Sequence, residues 1–254
     1  MQNNDTRTTI FGVGIDKLTS GHLLQLITTV DPNRQIVIAN VNVHGLNIAY
    51  TNEAYRQFLK KADAVFNDGF GVAWGAKILG YSMESQYRST CADWIECLAS
   101  LCQQKNLGIF LLAGEPGVAS EASEKLKAKF PDLRIGSHHG FFQHSGPENE
   151  NIIKTINEFA PEILYVGLGM PLQEFWIDNN RALLNAKVIL PLGACLDIYT
   201  GRKSRAPKWM TEHGLEWLGR LWFEPRRVWK RYLIGNPLFL IRALWERIGG
   251  VRFS

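Results

Sequence analysis

Short, nearly continuous apolar runs alternate with segments of helical length between residues 1 and 200, and this alternation constrains the fold most strongly. The runs are Ile10–Ile15, Gln35–Ala39, Ala64–Asn67, Gly108–Ala113, Leu133–Ser137, Ile163–Gly167 and Lys187–Pro191. Strands that are apolar at successive positions are covered on both faces, as in parallel sheets. Intervening segments such as Trp94–Gln104, Val118–Phe130 and Asn149–Phe159 are long enough for crossover helices. The sequence therefore predicts an α/β fold, with a mostly parallel sheet flanked by helices.

Small and polar residues follow several of these predicted strands. The loops begin at Asn40, Asp68, Gly114, Gly167 and Gly193. In an open parallel sheet, ligands bind beyond the carboxyl ends of the strands. Glycines there let backbone amides approach a ligand, and helix N-termini favour anions. Together the loops predict a phosphate-bearing ligand, although each glycine turn alone is equally typical of a tight turn.

Missing motifs exclude several classes of protein. The cysteines have no CxxC spacing, which argues against a zinc site and a disulfide scaffold. There is no GxxxxGK[ST] P-loop, and no Asp-x-Asp pair that would hold a metal–nucleotide. A diphosphate leaving group would then need arginines, backbone amides and helix dipoles. The N-terminus is polar and no apolar run reaches the roughly 18 residues of a membrane span, so we expect a cytoplasmic protein.

Two charged residues stand out as site candidates. Asp68 directly follows the run Ala64–Asn67, so its carboxylate should project from a strand end. It would serve either as the cap of the next helix or as a general base for a sugar hydroxyl. Arg88 would either meet a phosphate bidentately or remain a solvated surface residue.

The last fifth of the chain differs from the rest in charge and aromatic content. Residues 1–200 contain 16 Lys and Arg against 20 Asp and Glu, whereas residues 201–254 contain 12 against four. Five of the eight tryptophans also lie after residue 200. We therefore predict two domains, a core over 1–200 and a basic, aromatic appendage over 201–254.

Within this appendage, a helix is predicted to begin at Pro225, after Glu224. Helical spacing gives it a basic face of Arg226, Arg227, Lys230 and Arg231 and an opposite apolar face of Val228, Trp229, Tyr232 and Leu233. Such a helix would lie on an anionic membrane, or its apolar face would pack on the core. Because aromatic and basic residues lie on opposite faces, nucleic acid is not predicted as a partner.

Several longer motifs carry a resemblance to a known family. They are Ala62-Asp63 with Asn67-Asp68-Gly69, Gly167-x-Gly169-x-Pro171-x-Gln173-Glu174, Gly193 to Gly201, Arg205-Ala206-Pro207-Lys208-Trp209, Gly214 to Leu221 and Glu224-Pro225-Arg226-Arg227. With these motifs the sequence resembles the WecG/TagA/CpsF glycosyltransferases over roughly residues 8–240. These bacterial enzymes extend lipid-linked sugars during surface-polysaccharide assembly.

The resemblance implies a reaction and a fold. It implies a Rossmann-like core with a C-terminal helical appendage that associates with the cytoplasmic face of the bacterial inner membrane. The reaction would be inverting transfer, with a β-linkage, from a UDP-sugar to a polyprenyl-diphosphate-linked sugar, without a metal or other cofactor. Exposed aromatic residues in the appendage would also favour a homo-oligomer. The Asn-Val-Asn-Val-His-Gly segment is more similar to members of exopolysaccharide pathways than to teichoic-acid members.

The resemblance also implies roles for individual residues. Asp68 would be the catalytic base, and Arg88 would lie near the donor diphosphate. Gln173 and Asp197 would surround the UDP-sugar, with glycine loops such as the one at Gly114. The arginines expected to contact the lipid diphosphate are Arg220, Arg227 and Arg231.

One position departs from the family pattern. The family often has Thr two residues before the Asn that matches Asn42, and this chain has Asn40 there. An amide still hydrogen-bonds a sugar hydroxyl, so Asn40 and Asn42 remain candidates for substrate binding. Asn40 does not supply the hydroxyl group of that Thr.

Two other functions remain as alternatives. A nucleotide-sugar epimerase or dehydrogenase would need a GxGxxG turn, and Phe11-Gly12-Val13-Gly14-Ile15-Asp16 lacks the third glycine. A membrane-associated protein that binds a nucleotide sugar without transferring it would carry the same loops and the same appendage.

Overall fold

The computed structural model describes residues 6–29, 31–251 and 253. Their strands are β1 Arg7–Ile10, β2 Val13–Asp16, β3 Ile36–Val41, β4 Ala64–Asn67, β5 Ile109–Ala113, β6 Ile135–His138, β7 Ile163–Gly167 and β8 Val188–Pro191. Their α-helices are α1 Ser20–Thr28, α2 Val43–Thr51, α3 Glu53–Lys61, α4 Phe70–Leu79, α5 Cys91–Gln104, α6 Val118–Lys129, α7 Gly146–Phe159, α8 Leu172–Asn180, α9 Cys195–Thr200, α10 Lys208–Glu212, α11 Glu216–Phe223, α12 Pro225–Trp229 and α13 Gly235–Arg247. Short 3-10 turns cover Ser85–Tyr87 and Arg181–Leu183, and a π-helical turn covers Lys230–Ile234.

The described residues form two compact units, which differ from the predicted division at residue 200. The first unit contains residues 6–19, 40–90, 203–251 and 253. The second contains residues 20–29, 31–39 and 91–202. The C-terminal segment therefore groups with two earlier stretches of chain in the first unit.

The second unit is built on parallel strands in the order β3-β8-β7-β5-β6. The register pairs Ile36 with Val188, Val188 with Ile163, and Ile163 with Ile109. Every residue of β5 and of β8 is buried, as expected for strands covered on both faces. Helix α6 packs on β5 and β6. The prediction of a mostly parallel sheet flanked by helices is confirmed.

The first unit contains a hairpin where a single strand was predicted over Ile10–Ile15. Strands β1 and β2 pair antiparallel, and β2 pairs parallel with β4 through Asp16 and Phe66. The turn consists of Phe11 and Gly12, both with positive φ, at 54° and 74°. The single-strand prediction is wrong because an apolar residue occupies a turn position. The buried Phe11 ring packs against Phe239, which accounts for its apolar character.

Helix α13 is held against α2 and α4 inside the first unit. Phe239 and Ala243, four residues apart, form its buried face. A Cβ atom at Gly75 of α4 would collide with the Phe239 ring, so glycine is needed for this close approach. Asn47 donates from its amide to the carbonyl of Gly235 over 2.7 Å. Apolar packing and hydrogen bonding therefore join the C-terminal segment to the rest of this unit.

The predicted division of the C-terminal helix into a basic and an apolar face is wrong. A helix does begin at Pro225, but it passes into the π-helical turn at Lys230–Ile234 before α13. The wider turn changes the direction of the following side chains. Arg231 donates to Oδ1 of Asn42 over 3.3 Å, whereas Trp229 and Leu233 are exposed. No helix among the described residues is long and apolar enough to span a bilayer.

Candidate active site

The backbone around Asp68 is fixed by hydrogen bonds on both sides. The Asp68 amide donates to the carbonyl of Val41 over 2.8 Å. The Gly69 amide donates to Oδ1 of Asn67 over 2.9 Å. Gly69 occupies the cap position of α4, so the Asp68 side chain does not cap that helix.

Asp68 lines a cavity of about 130 Å³ in the first unit. The other predicted site residues that line it are Asn42, Arg88, Arg220 and Arg231. The remaining lining residues are Val43, His44, Gly69, Phe70, Gly71, Trp74, Thr90, Gly214, Glu216, Trp217, Tyr232, Asn236, Phe239 and Leu240. Residues from positions 42 to 240 are thus brought together around Asp68.

The three arginines of this cavity have partners inside the first unit. Arg220 lies 2.9 Å from Oε1 of Glu216, and Arg88 lies 3.9 Å from Oε2 of the same residue. The Arg88 guanidinium also lies 4.7 Å from the centre of the Phe70 ring, a cation–π contact. Two carboxylates therefore face three guanidinium groups.

Burial gives the Asp68 carboxyl an unusual basicity. Burial first, and the Glu216 carboxylate second, raise the pKa of Asp68 to about 6. Arg220, a hydrogen bond with Thr90, and Arg231 oppose this rise. At neutral pH the group is mostly ionised, and it is a stronger base than an ordinary carboxylate. It therefore suits general-base catalysis.

The pKa of His44, which lines the same cavity, is shifted in the opposite direction from that of Asp68. Burial, and next the Arg231 charge, lower the pKa of His44 to about 4. The imidazole is therefore neutral at physiological pH. It contributes no positive charge to the cavity.

Among described residues, the other predicted site residues lie outside this cavity. Asn40 is buried at the end of β3, and its Oδ1 has no hydrogen-bond partner within the part of the chain that the structure describes. Arg227 is exposed and pairs with Glu224 at 2.5 Å. Gly114 lines a separate cavity of about 510 Å³ in the second unit. This second cavity also has Phe141 and Phe142 in its wall.

Gln173 and Asp197 are both buried in the second unit, and neither lines that second cavity. Oε1 of Gln173 accepts from the amides of Gly169 and Gly193, over 3.2 and 3.0 Å. This side chain therefore ties together the loops that follow β7 and β8. Its own Nε2 donates to Glu174 over 2.9 Å.

Comparison with known proteins shows which protein family the chain belongs to. The profile described as "Glycosyl transferase WecG/TagA/CpsF family" matches residues 8–252. The chain belongs to this family. It is therefore a glycosyltransferase, as the sequence motifs indicated.

Curated relatives from Staphylococcus aureus bear the name N-acetylglucosaminyldiphosphoundecaprenol N-acetyl-beta-D-mannosaminyltransferase. The protein of strain MRSA252 is 26% identical over 244 residues, covering 95% of this chain and 93% of the relative. The protein of strain NCTC 8325 is 25% identical with the same coverage. By these names, the relatives act on a sugar linked to a polyprenyl diphosphate.

For this family member, the fold argues against the dehydrogenase alternative. Gly12 lies in the β1–β2 hairpin turn and Gly14 lies within β2. A dinucleotide fingerprint needs its glycines in the turn from a strand to a helix. The Gly-x-Gly pair of this chain does not occupy that context.

Sequence reasoning missed Glu216 as a residue of the cavity. It lies in the segment Gly214-Leu215-Glu216-Trp217, which was used only as a family motif. Its carboxylate contacts two arginines that were predicted separately, Arg88 and Arg220. The available signal was an acidic residue four positions before Arg220, which is the spacing of an ion pair on a helix.

The raised pKa of Glu174 should make the free energy of unfolding depend on pH. Burial raises the pKa of Glu174 to about 7. Because the pKa is higher in the folded than in the unfolded chain, the stabilising protonated form is lost as the pH rises. We expect the free energy of unfolding to fall by up to about 3 kcal/mol between pH 4.5 and 7. Glu174→Gln should remove this part of the dependence in denaturant melts at several pH values.

A control for Glu174 lies in the same unit. Glu158 is exposed and pairs with Lys154 at 3.8 Å. Glu158→Gln should leave the pH dependence of unfolding as in the wild type. Equal pH slopes for the wild type and Glu174→Gln would show that the burial of Glu174 has no such effect.

Proposed function

We propose that this chain transfers a sugar from a UDP-sugar to a sugar linked to polyprenyl diphosphate, with inversion and a β-linkage. The observation that carries the proposal is a half-buried, basic carboxylate, Asp68, in a cavity with three arginines. The names of the relatives, which include a diphosphoundecaprenol-linked sugar and a beta-D-mannosaminyl group, support the acceptor class and the linkage.

In the proposed reaction, Asp68 acts as the general base. Its carboxylate accepts the proton of the acceptor hydroxyl while that oxygen attacks the anomeric carbon of the donor. The bond from the anomeric carbon to the UDP oxygen breaks on the opposite face, and UDP leaves with the bonding electrons. Inversion follows because a single displacement occurs.

The arginines supply the positive charge that a diphosphate needs. Arg88, Arg220 and Arg231 present planar donor groups, which match phosphate oxygens in pairs. We assign them to substrate diphosphates. Arg227 stays a proposal for the lipid diphosphate, which would require it to leave Glu224.

Aromatic residues support a sugar as the other part of the ligand. Phe70, Trp74, Trp217 and Tyr232 line the cavity, and the Trp74 side chain is 52% exposed. The C–H face of a pyranose ring packs on such flat apolar surfaces. Asn42 also lines the cavity, and a sugar hydroxyl would reach its amide.

For the UDP-sugar we retain Asn40, Gly114, Gln173 and Asp197 as proposed binding residues. Oδ1 of Asn40 has no hydrogen-bond partner among the described residues, and we propose it as an acceptor for a ligand hydroxyl. Gly114 has a positive φ of 68°, a conformation that lets backbone approach a ligand closely. Gln173 would act by ordering the loops at Gly169 and Gly193.

The C-terminal segment is the proposed membrane-binding surface. Helix α13 has a buried face around Phe239 and an exposed apolar stripe. The exposed large apolar residues after position 203 are Trp209, Leu218, Trp222, Phe223, Trp229, Leu233, Ile234, Leu238, Ile241, Leu244, Trp245 and Ile248. Basic residues such as Arg226 and Lys230 lie among them and are exposed. Apolar side chains with adjacent positive charge suit the interface of an anionic bilayer, here the cytoplasmic face of the inner membrane.

A UDP-release screen tests the proposed function. UDP-sugars are offered in turn with a short-chain polyprenyl-diphosphate sugar, with and without EDTA. We expect UDP release with at least one donor, dependent on the acceptor and unchanged by EDTA. Tight UDP binding without acceptor-dependent release from any donor would favour a nucleotide-sugar-binding protein without transferase activity.

A further inference from the structure

Glu216 stands between two of the three arginines of the candidate active site. It begins α11, and its side chain is 19% exposed at the cavity. Oε1 lies 2.9 Å from Nη2 of Arg220, and Oε2 lies 3.9 Å from Nη1 of Arg88. A single carboxylate thus contacts guanidinium groups from two distant parts of the sequence.

The charges of the cavity show how the Glu216 carboxylate stabilises the protein when no substrate is bound. Asp68 and Glu216 contribute two negative charges, and Arg88, Arg220 and Arg231 contribute three positive ones. His44 is neutral because burial lowers its pKa. Three guanidinium groups around one small cavity would repel one another without a counter-charge. Glu216 supplies that counter-charge.

The same contacts conflict with diphosphate binding. A diphosphate group offers negatively charged oxygens to Nη2 of Arg220, which already donates to Glu216, and Glu216 also repels the diphosphate. Arg88 is only in ion-pair range of Glu216, and its Nη1 donates to Oγ1 of Thr90 over 3.2 Å. Full pairing of Arg220 with phosphate therefore requires that the Glu216 carboxylate release it, and a phosphate would also replace Glu216 as the ion-pair partner of Arg88. Because the side chain is partly exposed at the cavity, its released carboxylate can be hydrated.

Building on the proposed function, we propose that Glu216 is a positioning residue. It holds Arg88 and Arg220 in the resting protein and exchanges both for the diphosphate group of a substrate. The exchange keeps each guanidinium paired throughout. Glu216 thereby weakens ground-state binding of diphosphates and keeps the arginines oriented toward the cavity between turnovers.

Glu216→Gln tests this exchange by calorimetry, because glutamine keeps the size and one acceptor oxygen but loses the charge. The probes are UDP, for the donor diphosphate, and farnesyl diphosphate, for the lipid diphosphate. We expect the Kd of at least one probe to fall about tenfold, from the removed charge repulsion. A change with UDP alone assigns the exchange to the donor, and a change with farnesyl diphosphate alone assigns it to the acceptor.

A second readout separates this role from a merely structural one. The Glu216 carboxylate is the second cause of the raised pKa of Asp68, after burial. Arg220, the hydrogen bond with Thr90, and Arg231 lower the pKa of Asp68. The acid limb of kcat/KM should therefore move to lower pH in Glu216→Gln. Glu216→Ser, which also removes the charge, should change binding in the same direction.

The control is Glu212→Gln on α10. Glu212 is exposed and pairs with Lys208 at 3.7 Å, outside the cavity. Its removal should leave both Kd values and the pH profile as in the wild type. Unchanged or weaker binding of both probes in the two Glu216 variants, with wild-type thermal unfolding, would overturn the inference. In that case, loss of transfer in Asp68→Asn would leave the proposed function standing.

Discussion

Asp68→Asn should lower the rate of sugar transfer by about two to four orders of magnitude. Asparagine keeps the shape of the side chain in the half-buried site but does not accept the proton of the acceptor hydroxyl. The affinity for UDP should not decrease, since the substitution removes a negative charge and no donor. The measurement is acceptor-dependent UDP release, with the Kd of UDP determined on the same preparation.

A matched control for this substitution is Asp178→Asn. Asp178 is exposed on α8 in the second unit. This variant should transfer sugar at the wild-type rate. Wild-type turnover by Asp68→Asn, with a normal fold by circular dichroism, would reject Asp68 as the base.

The triple variant Ile241→Ser, Leu244→Ser and Ile248→Ser should bind anionic vesicles about a hundredfold more weakly. These residues are 62%, 54% and 73% exposed; Ile241 and Leu244 lie three residues apart on α13, and Ile248 caps its C-terminal end. Insertion of each side chain into the bilayer interface is worth about 1 kcal/mol when only part of its surface leaves water. Co-sedimentation with vesicles of anionic and zwitterionic lipids measures the effect.

The control for membrane binding removes exposed apolar residues from the second unit. Phe141 and Leu183 are 64% and 59% exposed. The double variant Phe141→Ser and Leu183→Ser should sediment with vesicles as the wild type does. Equal sedimentation of the triple variant and the wild type would show that α13 does not provide the membrane contact.

The fold of the second unit was predictable because its strands are buried on both faces. Runs such as Ile163–Gly167 contain few polar residues, and the strand is observed over the same residues. The β1–β2 hairpin was not predictable from polarity, since Phe11 is an apolar turn residue. Its apolar character reflects burial against Phe239, far away in sequence.

The candidate active site was predictable only in part. Asp68 and Arg88 follow predicted strand and loop boundaries, and both line the same cavity. Arg231 was predicted on the basic face of an amphipathic helix, and the resemblance separately implied a contact with the lipid diphosphate. It lines the cavity because a π-helical turn, which has no simple sequence signature, changes its direction. Glu216 was missed because its importance lies in a contact with Arg88.

The pH dependence of kcat/KM for transfer tests most directly whether the Asp68 carboxylate is the base. Activity should rise with pH through a midpoint of about 6, because burial raises the pKa of Asp68 and only the ionised group accepts a proton. The profile is measured from pH 4.5 to 8.5 with the same acceptor and donor. A rate that stays constant down to pH 5 would contradict this assignment.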